Sequence, residues 1–313
     1  MTNSQLDPND DPSIKPASTR IFGFFLFPAL IVITCVAVYV LFGVLATRQK
    51  STNTLIEEIR LGSKTARWQA AMELAMKLSD PKVRDSEGRV EEQIRNMLAD
   101  EKETDLQLQK YLLTALAAYG NSANLPMFES KLKSEQPDDI RFAAMVGLSQ
   151  IHTPETVAPS IRTLENDPDE GTRSIAAGHL ATYGLDPKSG SGKTGEATEA
   201  LRRAVNDRSD QVRWNAAVAL AQHGDPAGQG VLDQMLDEGY YSQLRTKASD
   251  SNGGPDPQQQ RDAMLKALDS VDKLRASASL PRVDALADHA RDLQVRSKAR
   301  EVAARMHAAA SAK

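Results

Sequence analysis

From about residue 54 to residue 309, apolar positions recur at helical spacing, and the recurrence itself repeats. The stretch Gln211 to Gly224, QVRWNAAVALAQHG, sets Val212, Ala216 and Leu220 four residues apart with Ala217 beside them, which is one apolar face of a helix. The same arrangement follows Arg67 (Ala70, Ala71, Leu74), Gln109 (Leu112, Leu113, Leu116), Arg141 (Ala144, Met145, Leu148), Arg173 (Ala176, Ala177, Leu180), Arg261 (Met264, Leu265, Leu268) and, most weakly, Arg296 (Ala299, Val302). With the stretch at Arg213 that makes seven copies, spaced 42, 32, 32, 40, 48 and 35 residues apart. Periods of this length mark stacked supersecondary units. A shorter helical pattern precedes several copies, for example Leu55, Ile56 and Ile59, Val90, Ile94 and Leu98, Val157, Ile161 and Leu164, and Leu201 and Val205. Each unit thus predicts two helices joined by a polar turn. Gly120, Gly184 and Gly224 predict left-handed caps closing the second helices.

One helix pair cannot bury both its apolar faces, whereas stacked neighbours share a continuous core. The expected fold is an all-α solenoid of about seven helix pairs. The units DPDEGTRSIAAGHLATYG (Asp167 to Gly184) and DRSDQVRWNAAVALAQHGD (Asp207 to Asp225) resemble HEAT repeats in their short bacterial form, and the likeness extends over residues 54–309. The resemblance implies a right-handed superhelix whose second helices line the concave surface. An acid also stands six residues before the arginine in three successive units: Glu135 and Arg141, Asp167 and Arg173, Asp207 and Arg213. The resemblance implies that these form a structural ladder between neighbours, broken toward the ends, where Leu61, Pro255 and Ala290 take the acid's place. The rival reading, a row of phosphate-binding arginines, is disfavoured because each arginine has its own acid.

The position after the repeat arginine is Trp68, Lys110, Phe142, Ser174, Trp214, Asp262 and Ser297 in turn. It accepts charge, so it is expected on an exposed side of the second helix, yet both tryptophans of the chain fall there. One turn further on come Met72, Thr114, Val146, Gly178 and Val218. Trp68, Met72, Lys110, Phe142, Val146, Trp214 and Val218 are therefore the candidate lining of a partner-binding groove, because aromatic anchors concentrate interface energy and apolar grooves suit helical or peptide partners. Filling of gaps between repeats is the alternative.

The first fifty residues are different. Ile21 to Thr47 is an uncharged run of 27 residues, enough helix to exceed a hydrocarbon core of about 30 Å. It is expected as a transmembrane helix, with residues 1–20 a disordered tail and 48–53 a short linker. A cleaved signal peptide fits less well, since the run is about twice the usual apolar length and follows several aspartates. Lys15 and Arg20 before the run and Arg48, Lys50 and Arg60 after it leave the orientation open. The expected localisation is single-pass in a bacterial inner membrane, the solenoid's side unresolved.

The formal net charge of −4, with both signs mixed along the chain, gives no argument for nucleic acid. The run SGSGKTGE at 189–196 looks like a phosphate cradle but lacks the first glycine of the phosphate-loop pattern, since Pro187 stands there, and no strand is expected upstream. It reads as an insertion over 186–195, and KASDSNGGPDPQQ (247–259) as a second. The five histidines show no metal-ligand spacing. The one cysteine, Cys35, falls in the apolar run, and no nucleophile elbow occurs. No cofactor, metal or nucleotide is expected. The functional expectation is a membrane-tethered, non-catalytic scaffold or accessory subunit that binds a membrane-associated protein, with the bilayer contacted through 21–47. The alternative, from the family's other members, is an enzyme or ligand binder resembling bilin lyases or DNA glycosylases.

Overall fold

The computed structural model describes residues 32–38, 50–86, 89–100, 105–186, 188, 190, 192, 194–247 and 254–311. The chain divides into two units, Met1–Ser51 and Thr52–Lys313. In the first, residues 32–38 form a helix, α1. The expected membrane localisation is corrected here: among the described residues no helix is long and apolar enough to cross a membrane. At 1.5 Å per residue, the described residues 32–38 make about 10 Å of helix, a third of a hydrocarbon core. The rest of the expected spanning segment, 21–31 and 39–47, and the tail 1–20 lie outside the described residues.

The second unit is built of helix pairs, and all its described secondary structure is helical. The first helices of the pairs are α2 (Thr52–Leu61), α5 (Val90–Ala99), α7 (Leu125–Lys131), α9 (Val157–Asn166), α11 (Thr194–Ala204), α13 (Gln229–Met235) and α16 (Leu280–His289). The second helices are α3 (Lys64–Leu78), α6 (Leu106–Ala117), α8 (Asp138–Ser149), α10 (Glu170–His179), α12 (Asp210–Gln222), α15 (Pro257–Leu274) and α17 (Leu293–Ser311). Two more helices stand outside this scheme, α4 (Pro81–Ser86) and α14 (Glu238–Lys247). Each second helix packs on its own first helix and on the second helices before and after it, from α3 through to α17. This is the packing of an α-solenoid.

Local chemistry starts and stops the helices. Ser63, Asp105 and Asp169 accept main-chain hydrogens at the starts of α3, α6 and α10, and Asp256 with Gln259 forms a capping box at α15. At the far ends, Gly120 and Gly224 take φ of +57° and +79°, a conformation in which glycine has no steric penalty. Gly184 does not. It closes a π-turn, Leu180–Gly184, and an added Cβ there would stand 2.8 Å from Leu180 Cδ2. In α15, which ends without a glycine, Arg275 adopts the left-handed conformation instead.

Most apolar positions of the sequence pattern are the core, with Ile161, Val205 and Leu265 only partly buried against it. Leu74, Leu112, Leu116, Ile140, Leu148, Leu180, Leu220 and Leu268 are fully buried, each contributing roughly 1.5–3 kcal/mol relative to exposure. Two apolar clusters result, one from Leu55 to Leu220 and one from Trp214 to Met306. They meet along α12, which gives Val212, Ala216 and Leu220 to the first and Trp214, Ala217 and Ala221 to the second.

Candidate functional site

The second helices expose a common face, and the residues after the repeat arginine lie at its junctions. Trp68 on α3 is half-buried and stacks on Tyr111 of α6, ring centroids 6.1 Å apart. Lys110 of α6 reaches Asp139 of α8 at 3.7 Å. Phe142 of α8 is 38 % exposed and lies over Gly171 of α10, where an added Cβ would stand 3.2 Å from the ring. Asn215 of α12 donates to the Ser174 hydroxyl of α10 at 2.9 Å. Trp214 is only 5 % exposed and packs on Tyr241, centroids 5.6 Å apart. With Val218 it also lines a cavity of about 170 Å³ between α12 and α15. This row therefore joins neighbouring pairs as well as facing outward.

The open part of the face is one turn further on. Met72, Val146, Gly178 and Val218 are half-buried and Thr114 is exposed. A Cβ built on Gly178 meets nothing within 4 Å. Met76, a turn beyond Met72, is also exposed. The face changes character toward the carboxyl end. There Lys298 pairs with Asp269 at 2.6 Å, and Arg305 pairs with Asp272 at 2.8 Å and with Glu301. The charges on that part are matched across helices, while the part from α3 to α12 carries Glu73, between Met72 and Met76 on α3, and the Lys110–Asp139 pair.

The repeat arginines point elsewhere. Arg141 is 3 % and Arg173 4 % exposed. Arg141 donates to both carboxylate oxygens of Asp167 in the next pair, at 2.9 and 3.0 Å, and to the Gln136 carbonyl of its own. Arg173 does the same to Asp207, at 2.9 and 2.8 Å, and to the carbonyls of Asp167 and Pro168. The acid thus serves both neighbours: its carboxylate takes the preceding arginine and its main-chain carbonyl the following one. Arg213 closes the run on the Asp207 carbonyl, on Asp210 and on the Tyr240 hydroxyl at 3.0 Å. Glu135 stands exposed, and Asp138 is the local acid of Arg141. Burial alone would raise the Asp207 carboxyl, but hydrogen bonds from Arg173 and the Ser209 amide, with the charges of Arg173 and Arg208, hold it below the usual carboxylate range. The Asp167 hydrogen bond, against the cost of burial, likewise raises Arg141 above an ordinary guanidinium.

Several participants are not visible in the repeat pattern. Asp292, four residues before Arg296 rather than six, accepts from Arg261 at 2.6 Å. Tyr240 comes from α14, within the longest spacing. Tyr111, the partner of Trp68, follows Lys110 rather than the arginine position. Among the histidines, His179 is buried: its Nε2 donates to Thr156 Oγ1 at 3.0 Å, because that hydroxyl itself donates to the Thr153 carbonyl. Burial, and then His152, push the imidazole down to about 4. Among the described residues no group of three or more His, Cys, Asp or Glu side chains is placed to hold a metal. In the glycine-rich turn, Gly190 and Gly192 take φ of +69° and +63°; the turn follows the π-turn Leu180–Gly184 and leads into α11. Pro187, Ser189, Ser191 and Lys193 lie outside the described residues.

Stacked helix pairs, arginines tied to the next pair's acid and an open face on the second helices are the setting for the comparisons with known proteins. Residues 159–251 match the family of HEAT repeats. An X-ray structure of YibA from E. coli is similar over 83 % of this chain and 84 % of that one, at 17 % identity and a TM-score of 0.54. Kap95p, solved bound to RanGDP, is similar over 82 % of this chain at 10 % identity and a TM-score of 0.51, and this chain spans 36 % of it. The CpcE–CpcF phycocyanin lyase of Nostoc sp. PCC7120 has 18 % identity over 83 % of this chain and 94 % of that one, but a TM-score of only 0.48 carries no argument about activity. No curated protein matches the sequence. At these identities the likeness establishes the fold: a HEAT-like repeat architecture.

Proposed function

We propose that the protein is a non-catalytic scaffold that binds another protein along the open face of its second helices, from α3 to α12. The observation that carries this reading is the row Met72, Thr114, Val146, Gly178 and Val218, largely apolar and incompletely covered, flanked by the partly exposed Trp68 and Phe142. Apolar area left open between aromatic anchors is where association energy is concentrated, and an extended row of this kind suits a helical or extended segment. The superhelical curvature implied by the HEAT resemblance would present that row on the concave side. The phosphate-binding reading of the repeat arginines finds no support, because Arg141 and Arg173 are buried against carboxylates.

Gly178 allows a test that spares the fold. With open space around its Cβ, Gly178→Glu is expected to keep the melting temperature or raise it slightly, as a better helix former replaces glycine, worth about 0.5–1 kcal/mol. The same change places a charge in the middle of the apolar row. Affinity capture followed by mass spectrometry should lose the partners recovered with the wild type. Recovery of the same partners at wild-type yield would remove this face from consideration.

A further inference from the structure

Away from that face, the extra helix α14 and the starts of α15 and α17 line an open cavity of about 480 Å³, and three arginines border it, Arg245, Arg261 and Arg291. Two acids line it as well, Glu238 and Asp292. Arg261 is already matched: its Nε donates to Asp292 at 2.6 Å, and that hydrogen bond holds the Asp292 carboxyl below the usual range. Arg291 is matched only loosely. Its side chain is 92 % exposed, and its Nε stands 4.0 Å from Glu238 Oε2, while Glu238 Oε1 accepts from the Arg291 main-chain amide at 3.0 Å. Arg245 is not matched by any charge among the described residues. Its guanidinium donates to Gln260 Oε1 at 2.9 Å, and to Ser242 Oγ and the Pro255 carbonyl at 3.4 Å, all neutral oxygens. In a chain of net charge −4, this cavity carries more positive than negative charge.

We propose that the cavity is a binding site for a phosphate monoester. Arg245, bonded only to neutral oxygens, and Arg291, held loosely by Glu238 at 4.0 Å, offer forked donors suited to oxyanions. The Ser242 hydroxyl and the Gln260 amide line the same space, so donors arrive from α14, from α15 and from the turn before α17. A tetrahedral oxyanion accepts from several directions, whereas a planar carboxylate satisfies one fork. The volume falls within the range of about 300–1,000 Å³ common for small-ligand sites. Glu238 and Asp292 oppose an anion, and the test uses that opposition.

Isothermal titration calorimetry on the full chain supplies the test, with inorganic phosphate, a phosphoserine peptide flanked by glycines, and the same peptide without phosphate as probes. Both phosphate probes should bind saturably and the plain peptide should not. Tighter binding of the phosphopeptide identifies a phosphorylated side chain as the source, and tighter binding of inorganic phosphate identifies a free phosphorylated molecule. Arg245→Gln and Arg291→Gln should each weaken binding roughly tenfold or more, the usual scale for loss of a charged hydrogen bond. Glu238→Gln, which keeps an oxygen for the Arg291 amide, should strengthen it. Arg202→Gln, on α11 and paired with Glu199 and Asp225, should change nothing. Arg291 is so exposed that its replacement does not threaten folding, so the test stands even where Arg245→Gln is unstable. Absence of saturable binding by the wild type would overturn the proposal, as would unchanged affinity in Arg291→Gln or an equal loss in Arg202→Gln.

Discussion

Asp167 and Asp207 each hold two arginines at once, one by the carboxylate and one by the main-chain carbonyl. Removing such a carboxylate leaves a guanidinium buried without its counter-charge, which typically costs about 3–5 kcal/mol. Asp207→Ala should therefore lower the melting temperature far more than loss of an exposed acid such as Glu135. The pH dependence follows from the depressed Asp207 carboxyl. Because its folded value lies below its unfolded one, the stabilisation is complete above the ordinary carboxylate range, near pH 4. It is lost as pH falls through the depressed folded value, where the folded state also takes up its proton. Denaturant titrations between pH 7 and pH 3 should show the wild type losing stability in acid, and Asp207→Asn, already weaker at pH 7, losing less. A parallel decline in both proteins would contradict this account.

At the scale of helices, the seven second helices were legible because apolar or small residues recur three, four and seven residues after a polar position, an arginine in six of them, and burial falls on most of those positions. Short first helices were legible where apolar residues recur, as in α5 and α9, and less so in α7 and α13. Helix α14 was not legible. Its inward residue Tyr241 sits beside exposed and half-buried neighbours, and its contacts with Trp214 and Tyr240 and its hydrogen bond to the Met235 carbonyl hold it in place. The glycine caps were half legible: Gly120 and Gly224 close helices in the left-handed region, but the helix at Gly184 widens into a π-turn that no residue preference announces. The row of residues after the repeat arginine was legible as a row, but not which of its members are covered, since Trp214 packs against Tyr241 of α14. A tight crossing offers an element-level prediction. Gly228 lies against α12, where an added Cβ would be 2.6 Å from Ala217 Cα. Backbone cannot yield as a flexible side chain does, so Gly228→Ala should destabilise by about 1–3 kcal/mol, read as an earlier midpoint in urea. An unchanged midpoint would mean that α12 and α13 can part without cost.

Among the described residues the main contacts between elements run between neighbouring pairs, so stability is a sum of local terms and cooperation can fail between segments. The two apolar clusters meet at α12, and the chain's two tryptophans report on them separately. Trp68 packs against the first and Trp214 belongs to the second. Tryptophan fluorescence of Trp214→Phe follows the amino-terminal cluster, and that of Trp68→Phe the carboxyl-terminal one. The two urea curves should have different midpoints, with the wild-type signal broader than either. Coincident curves would show one cooperative unit.

The shared aspartates also bear on how such a chain can grow or shrink. Because Asp167 and Asp207 each face one arginine backward and the next forward, the middle of the array is a sequence of interchangeable links. A duplication or loss that runs from one arginine to its equivalent re-forms the linkage with no charge stranded. A break placed between an acid and the arginine six residues later severs the link and leaves both ends in the interior without counterparts. Lengthening by whole units is thereby the tolerated path, and the shortest spacing between linked arginines, 32 residues, sets the natural size of such a step.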